Sequence, residues 1–255
     1  MYFEDTGSGE PVVFVSGQNT DHTQWASVVP HFSDYRTIVF DTRGTGASDK
    51  PSDAYSVQGF ANDTAALLDA LGVERAHFIG ASMGGKIVQW LLINHASRVA
   101  SAVLMATTPG GENAAHWEPE VARTLRSVPT GDGTTDPIIP LLVSEKWARS
   151  HADVAQQIAG RRMNAGGVVP RRLHYQASMV HDAWEELASV TAPVLILHGE
   201  DDRMSPVRNA ELLHERIAGS QLVTIPHGRH EFFIEFPDES FAAIRAFLAR
   251  NPVSA

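Results

Sequence analysis

The sequence contains no cysteine among its 255 residues. This absence excludes disulfide bonds, zinc sites built on thiolates and a cysteine nucleophile. It is compatible with a reducing compartment, and we expect a cytoplasmic protein. The stretch Met1 to Pro11 holds no basic segment followed by an apolar run, so no secretory signal peptide is predicted.

Positive charge and long apolar runs are also scarce. Twenty Lys and Arg face thirty Asp and Glu, a formal net charge of −10, so a nucleic-acid partner is not expected. No apolar stretch approaches the roughly 18 to 20 residues that span a bilayer, so no membrane partner is expected either. The length and the 43% hydrophobic content suit one sizeable core, or a core with an insertion.

What is present is an alternation of strand-like and helix-like segments. Amphipathic patterns typical of helices cover residues 60–71, 209–217 and 239–248. Near-continuous apolar runs of strand length, as in a sheet buried on both faces, lie at Val12–Ser16, Arg36–Asp41, Ala76–Ser82, Ala100–Thr108, Pro193–Glu200 and Gln221–His227. The alternation predicts the α/β class, with a doubly wound, mostly parallel sheet.

The alternation stops between residues 109 and 188. This segment opens with Pro109-Gly110-Gly111, holds a second loop at Gly131-Asp132-Gly133, and continues with helical patterns and no buried-strand run. We interpret residues 109–188 as a mostly helical cap over the end of the sheet. The cap is an insertion, not an independent domain, in a core formed by residues 1–108 and 189–255.

Ser82 lies in the stretch GASMGG, where an apolar run passes into a helical pattern. In a GxSxG strand-to-helix turn, the serine oxygen projects above the C-terminal edge of the sheet, and small neighbours permit the strained backbone. By itself the motif is equally compatible with a structural turn. A nucleophile also needs a base, an acid and an oxyanion hole.

Acids and histidines follow the last two predicted strands, in the order that a serine hydrolase requires. Because the C-terminal ends of parallel strands meet at one edge, these groups are expected near Ser82. The residues alone leave several candidates open: Glu200, Asp201 and Asp202 for the acid, and His227 and His230 for the histidine. The two histidines could also suggest a metal pair, but no third ligand is evident.

The chain resembles the α/β-hydrolase superfamily in SGQNTDHTQW, DTRGTGASD, GASMGG, HGEDDRMSP and GRHEFFIEFP. It is most similar to the branch of 3-oxoadipate enol-lactonases and cofactor-free haloperoxidases, through LLDALGVERAHFIGASMGG and, more weakly, QASMVHDAWEEL in the cap. The resemblance implies Ser82 as nucleophile, Asp202 as acid and His230 as base, with Asp201 as acid if the turn is one residue shorter. It implies an oxyanion hole formed by the backbone N–H groups of Gln18 and Met83.

The resemblance further implies no cofactor, no metal and a small-molecule ester or lactone as the partner. Both a monomer and a homodimer are compatible with it. One departure concerns the loop beside Gln18. Many relatives have His-Gly there, whereas this chain has Ser16-Gly17, so the local hydrogen bonding is expected to differ.

Several further side chains are candidates for substrate contact or for plain packing. Trp147 is the predicted substrate contact, and Trp117, Trp184, Met163 and Met179 could line the same apolar pocket. A substrate carboxylate could be bound by Arg161, Arg162, Arg171 and Arg172, although a solvated helix face is the alternative. His198 is expected to be a buried structural histidine.

These features predict a serine hydrolase that cleaves a small carboxylic ester or lactone through an acyl-enzyme on Ser82. The same three residues also support perhydrolysis or haloperoxidase-like activity, C–C bond hydrolysis, or the elimination performed by menaquinone-pathway relatives. A binding protein without turnover is a further alternative. Haloalkane dehalogenation is disfavoured, because that branch needs an aspartate in place of Ser82.

Overall fold

A seven-stranded sheet forms the centre of the molecule. Its strands are β1 (Phe3–Thr6), β2 (Pro11–Val15), β3 (Arg36–Phe40), β4 (Ala76–Ala81), β5 (Val99–Met105), β6 (Val194–Gly199) and β7 (Gln221–Ile225). The spatial order is β1-β3-β2-β4-β5-β6-β7, with β1 antiparallel to β3 and the other pairs parallel. The predicted α/β class and mostly parallel sheet are confirmed.

The computed structural model describes residues 1–127, 136–164 and 166–253. The predicted loop at Gly131-Asp132-Gly133 lies outside these residues. The helices are α1 (Val57–Ala70), α2 (Met83–Asn94), α3 (Pro119–Ser127), α4 (Ile139–Leu142), α5 (Glu145–Ser150), α6 (Ala152–Asn164), α7 (Val168–Met179), α8 (Arg208–Arg216), α9 (Phe232–Glu235) and α10 (Pro237–Ala249). Among the described residues, none of these helices has the length and apolar character required to cross a membrane.

Both faces of the sheet are covered, which explains the continuous apolar runs. Along β2, Val13 and Val15 pack with α1 and α2 on one face, whereas Val12 and Phe14 pack with α10 on the other. Every residue of β4 and β5 is buried. The apolar pattern does not predict strand β1, because all four of its residues are exposed at the antiparallel edge of the sheet.

Helix α1 shows how local sequence sets an element. Ser56 caps its first turn by accepting a hydrogen bond from the N–H of Gly59 at 2.9 Å. Phe60, Thr64 and Leu68 recur at helical spacing and are buried against the sheet. Gly72, with φ of 63°, follows the end of the helix in the left-handed conformation that glycine adopts without strain.

Helices α3 to α7 all lie between β5 and β6. Within the described part of this insertion, the extended pairing is limited to one isolated bridge between Gly110 and Asp182. A small separate cluster of buried side chains holds the insertion together: Val121, Ile138, Leu141, Leu142, Ile158 and Ala159. The division into a core of residues 1–108 and 189–255 and a cap of residues 109–188 stays a prediction.

Candidate active site

Ser82 occupies the sharp turn between β4 and α2. Its backbone has φ of 57° and ψ of −118°, a conformation that costs a non-glycine residue on the order of 1–3 kcal/mol. Two hydrogen bonds to residues at the end of β5 and just beyond it hold the turn. The N–H of Ser82 donates to the carbonyl of Met105 at 2.9 Å, and the carbonyl of Ser82 accepts from the hydroxyl of Thr107 at 2.7 Å. The surrounding structure therefore maintains a strained backbone at this serine.

The neighbouring glycines are required by close backbone approach. A Cβ on Gly80 would lie 2.5 Å from the carbonyl oxygen of Gly84, and a Cβ on Gly84 would overlap the carbonyl oxygen of Val15. Neither obstacle is a flexible side chain that could move aside. The spacing of GxSxG thus follows from the packing of α2 against β2 and β4.

Asp202 and His230 form a buried pair after β6 and β7. The Nδ1 of His230 lies 2.8 Å from the Oδ2 of Asp202, and the other carboxylate oxygen accepts from the N–H groups of Met204 at 2.8 Å and Ser205 at 2.9 Å. An ionised carboxylate can only accept, so Nδ1 carries the proton and Nε2 of the neutral ring is free to act as a base. The arrangement holds the imidazole in one tautomer.

The Nε2 of His230 has no hydrogen-bond partner within the described part of the chain, although it is buried. His230 and Ser82 line the same cavity. A histidine with an unpartnered ring nitrogen and the strained serine therefore line one cavity.

Asp201, the alternative acid, occupies a different environment. Its side chain is 58% exposed, and its Oδ2 lies 3.8 Å from Nδ1 of His227, whose side chain is 87% exposed. Neither residue lines the cavity. The structure thus pairs Asp202, and not Asp201, with His230, and it separates the two histidines that could have suggested a metal pair.

His198 lies beneath this pair. It is completely buried, its Nε2 donates to the carbonyl of Ser205 at 2.7 Å, and the same nitrogen is 3.5 Å from Oδ2 of Asp202. Burial lowers the pKa of its imidazole, so the ring stays neutral at pH 7. The expected buried position of His198 agrees with the structure, which also shows it in contact with the acid.

Of the two predicted oxyanion donors, Met83 follows Ser82 directly in the chain, and Gln18 lines the same cavity as Ser82. Met83 is the first residue of α2, so its N–H has no acceptor within the helix and lies at the positive end of the helix dipole. Gln18 follows β2 and lines the cavity. Both backbone positions are compatible with stabilising negative charge next to Ser82.

The loop that carries Gln18 is fixed by side-chain hydrogen bonds. The Oε1 of Gln24 accepts from the N–H of Gly17 and from the hydroxyl of Thr20, both at 2.8 Å. Ser16 accepts from Nε1 of Trp25 at 2.9 Å and donates to the carbonyl of Asp21 at 3.1 Å. Ser16, at the position where many relatives have histidine, thus connects the two sides of the loop.

A cavity of about 690 Å³ lies above Ser82 and His230, within the usual size range of small-molecule sites. The core contributes part of its wall, including Gln18, Asn19, Thr107 and Met204. The insertion contributes apolar side chains, among them Trp117, Leu125, Ile138, Val168, Tyr175 and Met179. The shape of the space that a substrate would occupy therefore depends on both regions.

Trp147, the predicted substrate contact, is not among the described residues that line this cavity. Trp147 packs on the small cluster inside the insertion, and its ring stacks on His151 with 4.4 Å between centroids. Trp117 and Met179 line the cavity, as do Arg171 and Arg172. Trp184 instead lies under the guanidinium group of Arg216. Arg161 is not among the residues that line the cavity. The side chains of Arg162 and Met163 lie outside the described residues.

Sequence reasoning missed Lys86, which also lines the cavity. It lies one helical turn beyond Ser82 on α2, and its Nζ donates to the carbonyl of Ser178 at 2.9 Å and to the hydroxyl of Ser178 at 3.0 Å. Burial lowers the pKa of its ammonium group to about 8. The spacing of four residues from Ser82 was the signal available, since it places Lys86 in the first turn of α2, where its N–H donates to the carbonyl of Ser82 at 3.3 Å.

In the part of the chain that the structure describes, three side chains of types that can bind a metal ion lie close together outside the cavity: Asp21, His22 and Asp41. The carboxylate of Asp41 already accepts from the N–H groups of His22 at 2.7 Å and Ala47 at 2.8 Å, and its Oδ1 lies 2.8 Å from Nδ1 of His22. Asp21 caps the short 3-10 helix that starts at His22. These bonds give the cluster a structural role in fixing the loops after β2 and β3.

Comparisons with known proteins agree with this geometry. A family model described as alpha/beta hydrolase fold matches residues 10–237. The chain is 31% identical to a putative non-heme chloroperoxidase of Synechocystis sp., over 90% of this chain and 88% of that protein. It is 28% identical to 3-oxoadipate enol-lactonase 1 of Acinetobacter baylyi, over 93% and 88% of the two chains.

A solved structure of a thermophilic esterase from Thermogutta terrifontis superimposes with a TM-score of 0.84 at 29% identity. The match covers 98% of this chain and 93% of the esterase. The backbone arrangement that carries Ser82 and His230 is therefore one that known hydrolytic proteins share.

Proposed function

Because the chain belongs to the α/β-hydrolase fold family, we propose that it is a serine hydrolase that cleaves a small carboxylic ester or lactone through an acyl-enzyme on Ser82. The observation that carries this proposal is the buried His230–Asp202 pair: Nε2 of its histidine has no partner among the described residues, and His230 lines the same cavity as Ser82. A base without a partner, beside a strained serine, is the arrangement that acyl transfer needs.

In the first half of the reaction, Nε2 of His230 takes the proton from the Ser82 hydroxyl as its oxygen attacks the substrate carbonyl carbon. Asp202 keeps Nδ1 protonated and stabilises the imidazolium that forms. His230 then gives this proton to the leaving alkoxide as the bond between the carbonyl carbon and the leaving oxygen breaks. An acyl ester on Ser82 and a free alcohol result; with a lactone, the alcohol stays attached to the acyl chain.

The tetrahedral intermediate places negative charge on the former carbonyl oxygen. We assign the N–H groups of Met83 and Gln18 as its donors, since both stand beside Ser82 and Met83 begins a helix. Removing one such donor typically costs about 3–4 kcal/mol of transition-state stabilisation. These donors are backbone groups, so the geometry survives changes of their side chains.

In the second half, water attacks the acyl carbon while Nε2 of His230 accepts its proton. The proton then passes to the Ser82 oxygen as the carboxylic acid leaves. The same base serves both halves, which requires only the fixed tautomer that Asp202 provides.

Support for an ester or lactone substrate comes from the names of similar proteins, which include an enol-lactonase and an esterase. A second function is favoured by the relative named a putative non-heme chloroperoxidase. There, hydrogen peroxide would take the place of water in the second half, and the product would be a peracid. Both functions share the acyl-enzyme on Ser82 and differ only in the second nucleophile.

The experiment that tests the proposal is labelling with a fluorophosphonate probe, which phosphonylates an activated serine. We expect one label per chain on Ser82, no label on Ser82→Ala, and normal labelling of Ser178→Ala, which changes another serine of the cavity wall. Unlabelled wild-type protein that also hydrolyses no ester would indicate a binding protein and overturn the proposal.

A further inference from the structure

The wall of the cavity has a charge balance opposite to that of the chain. The protein carries ten more acidic than basic residues. Yet, among the described residues, no aspartate or glutamate lines the cavity, and four cationic side chains do: Lys86, Arg126, Arg171 and Arg172. In a partly enclosed, mostly apolar space such a set attracts an anion, because the low local dielectric strengthens each interaction.

Lys86 is the most deeply placed of these cations. Its Nζ donates two hydrogen bonds to Ser178. Neither acceptor is charged, and no carboxylate in the described part of the chain compensates the ammonium group. Keeping an uncompensated ammonium in a partly buried place is costly, as the lowering of its pKa to about 8 indicates. A ligand anion would remove that cost.

The three arginines lie on the insertion. Arg171 and Arg172 are adjacent on α7, a helix whose sequence VVPRRLHYQASM contains no acid, and Arg126 lies on α3. None of the three forms an ion pair with a described residue. All three line the same cavity as Lys86 and add positive charge to its wall, which steers an anion into the cavity.

We propose that the cavity selects esters or lactones that carry a free carboxylate, and that Lys86 binds this carboxylate while the reacting carbonyl lies at Ser82. The inference rests on the function proposed above and adds the substrate class. Ser82 directly precedes α2, and Lys86 lies in the first turn of that helix, where its N–H donates to the carbonyl of Ser82 at 3.3 Å. The carboxylate and the reacting carbonyl are therefore joined by a short carbon chain.

The kinetic test compares two methyl esters of equal chain length, monomethyl glutarate and methyl valerate. They differ in having a carboxylate or a methyl group at the far end. We expect wild-type kcat/KM to favour monomethyl glutarate at least tenfold, mainly through KM. Lys86→Met should remove most of this preference, because it lowers kcat/KM for monomethyl glutarate far more than for methyl valerate. Lys146→Met, the same change at an exposed lysine away from the cavity, should keep it.

A pH series tests the charge on Lys86 directly. The other titratable groups on this wall, besides the arginines, are His116, His181, His230 and Tyr175; they affect both esters, so the ratio of the two kcat/KM values isolates the lysine. That ratio should fall as the pH rises above about 8, where Lys86 loses its proton. Lys86→Arg, which stays charged, should extend the preference to higher pH.

Binding to Ser82→Ala separates this inference from the proposed reaction. Calorimetric titration should show that monomethyl glutarate binds at least tenfold more tightly than methyl valerate, and that adding Lys86→Met abolishes the difference. If neither ester is hydrolysed by the wild type but this Lys86-dependent binding is found, the proposed function fails and the anion site stands.

Equal affinity of the two esters for Ser82→Ala would overturn the inference, whether or not the wild type is active. A preference that survives Lys86→Met in a protein with a normal circular dichroism spectrum would also overturn it. If Lys86→Met does not fold, the wild-type ratio and the pH behaviour of Lys86→Arg decide the question. An unchanged ratio between pH 7 and pH 9.5 would then contradict the role of Lys86.

Discussion

The core and the insertion of this protein are built under different constraints. In the core, both faces of the sheet are packed, and Asp202 and His230 are buried at the strand ends. The described part of the insertion has one small buried cluster of its own, with six residues, and it packs four further side chains into the core: Leu173, Ala177, Ala183 and Leu187. It also carries exposed large apolar side chains: Val154, Val168, Val169, Tyr175, Met179 and Val180. Under the function proposed above, the core would fix the chemistry, and the insertion would determine which molecules reach it.

The two regions are nevertheless joined at the active site. The N–H of His230 donates to the carbonyl of Leu141 at 3.3 Å, and the N–H of Glu231 donates to the carbonyl of Leu142 at 2.8 Å. Both acceptors belong to α4 of the insertion. On the opposite side, Nε2 of His174 on α7 donates to the carbonyl of Arg43 in the core at 2.8 Å. The insertion thus helps to hold the loop that carries His230.

Loss of the nucleophile proposed in the core, Ser82, should have the largest effect on turnover. We expect Ser82→Ala to lower kcat for an accepted ester by about ten-thousandfold or more, because the residual rate rests on the oxyanion donors and binding alone. The melting temperature should change little, since alanine fits the same turn. Steady-state kinetics and thermal melting measure the two quantities. Ser144→Ala, a change in the insertion, should instead lower stability and leave kcat within tenfold.

The choice between the two neighbouring acids predicts the next largest effect. Asp202→Asn should lower kcat by roughly 10³–10⁴-fold, because an amide no longer enforces the tautomer of His230 or stabilises its positive charge. Asp201→Asn is the matched control, since this side chain is exposed and does not contact His230. Equal loss of kcat in the two variants would contradict the assignment of Asp202.

Glycine-to-alanine substitutions should change the free energy of unfolding in opposite directions in the core and in the insertion. Gly84→Ala places a methyl group on the carbonyl oxygen of Val15, and we expect a loss of at least about 3 kcal/mol in the free energy of unfolding. Gly160→Ala, in α6 of the insertion, meets no atom within 4 Å and should raise stability by about 0.5–1 kcal/mol. Urea denaturation measures both changes. A stable Gly84→Ala protein would show that α2 can move away from β2.

The sequence predicted the core far better than the insertion. Buried parallel strands leave continuous apolar runs, so six of the seven strands and the elbow at Ser82 were visible. Strand β1 was missed because it is exposed, and the choice between Asp201 and Asp202 required the family resemblance, because both follow β6 directly. In the insertion, a tryptophan can face a cavity or pack on neighbouring helices, and the residue type does not distinguish Trp117 from Trp147. Lys86 was missed because its significance depends on the absence of acids around it, a property of the three-dimensional surroundings.

The contact between α7 and the core should make stability depend on pH in a defined window. Burial lowers the pKa of the fully buried His174 to about 4, from about 6.5 in an unfolded chain. The unfolded chain therefore binds more protons between pH 6.5 and pH 4, so this histidine contributes a loss of stability as the pH falls through that window, at most about 3 kcal/mol. His174→Gln, which can keep the hydrogen bond to Arg43, should flatten the decline measured by urea denaturation. His227→Gln is the control, because it changes an exposed histidine. If the free energy of unfolding declines as steeply in His174→Gln as in the wild type, then α7 separates from the core before His174 is protonated.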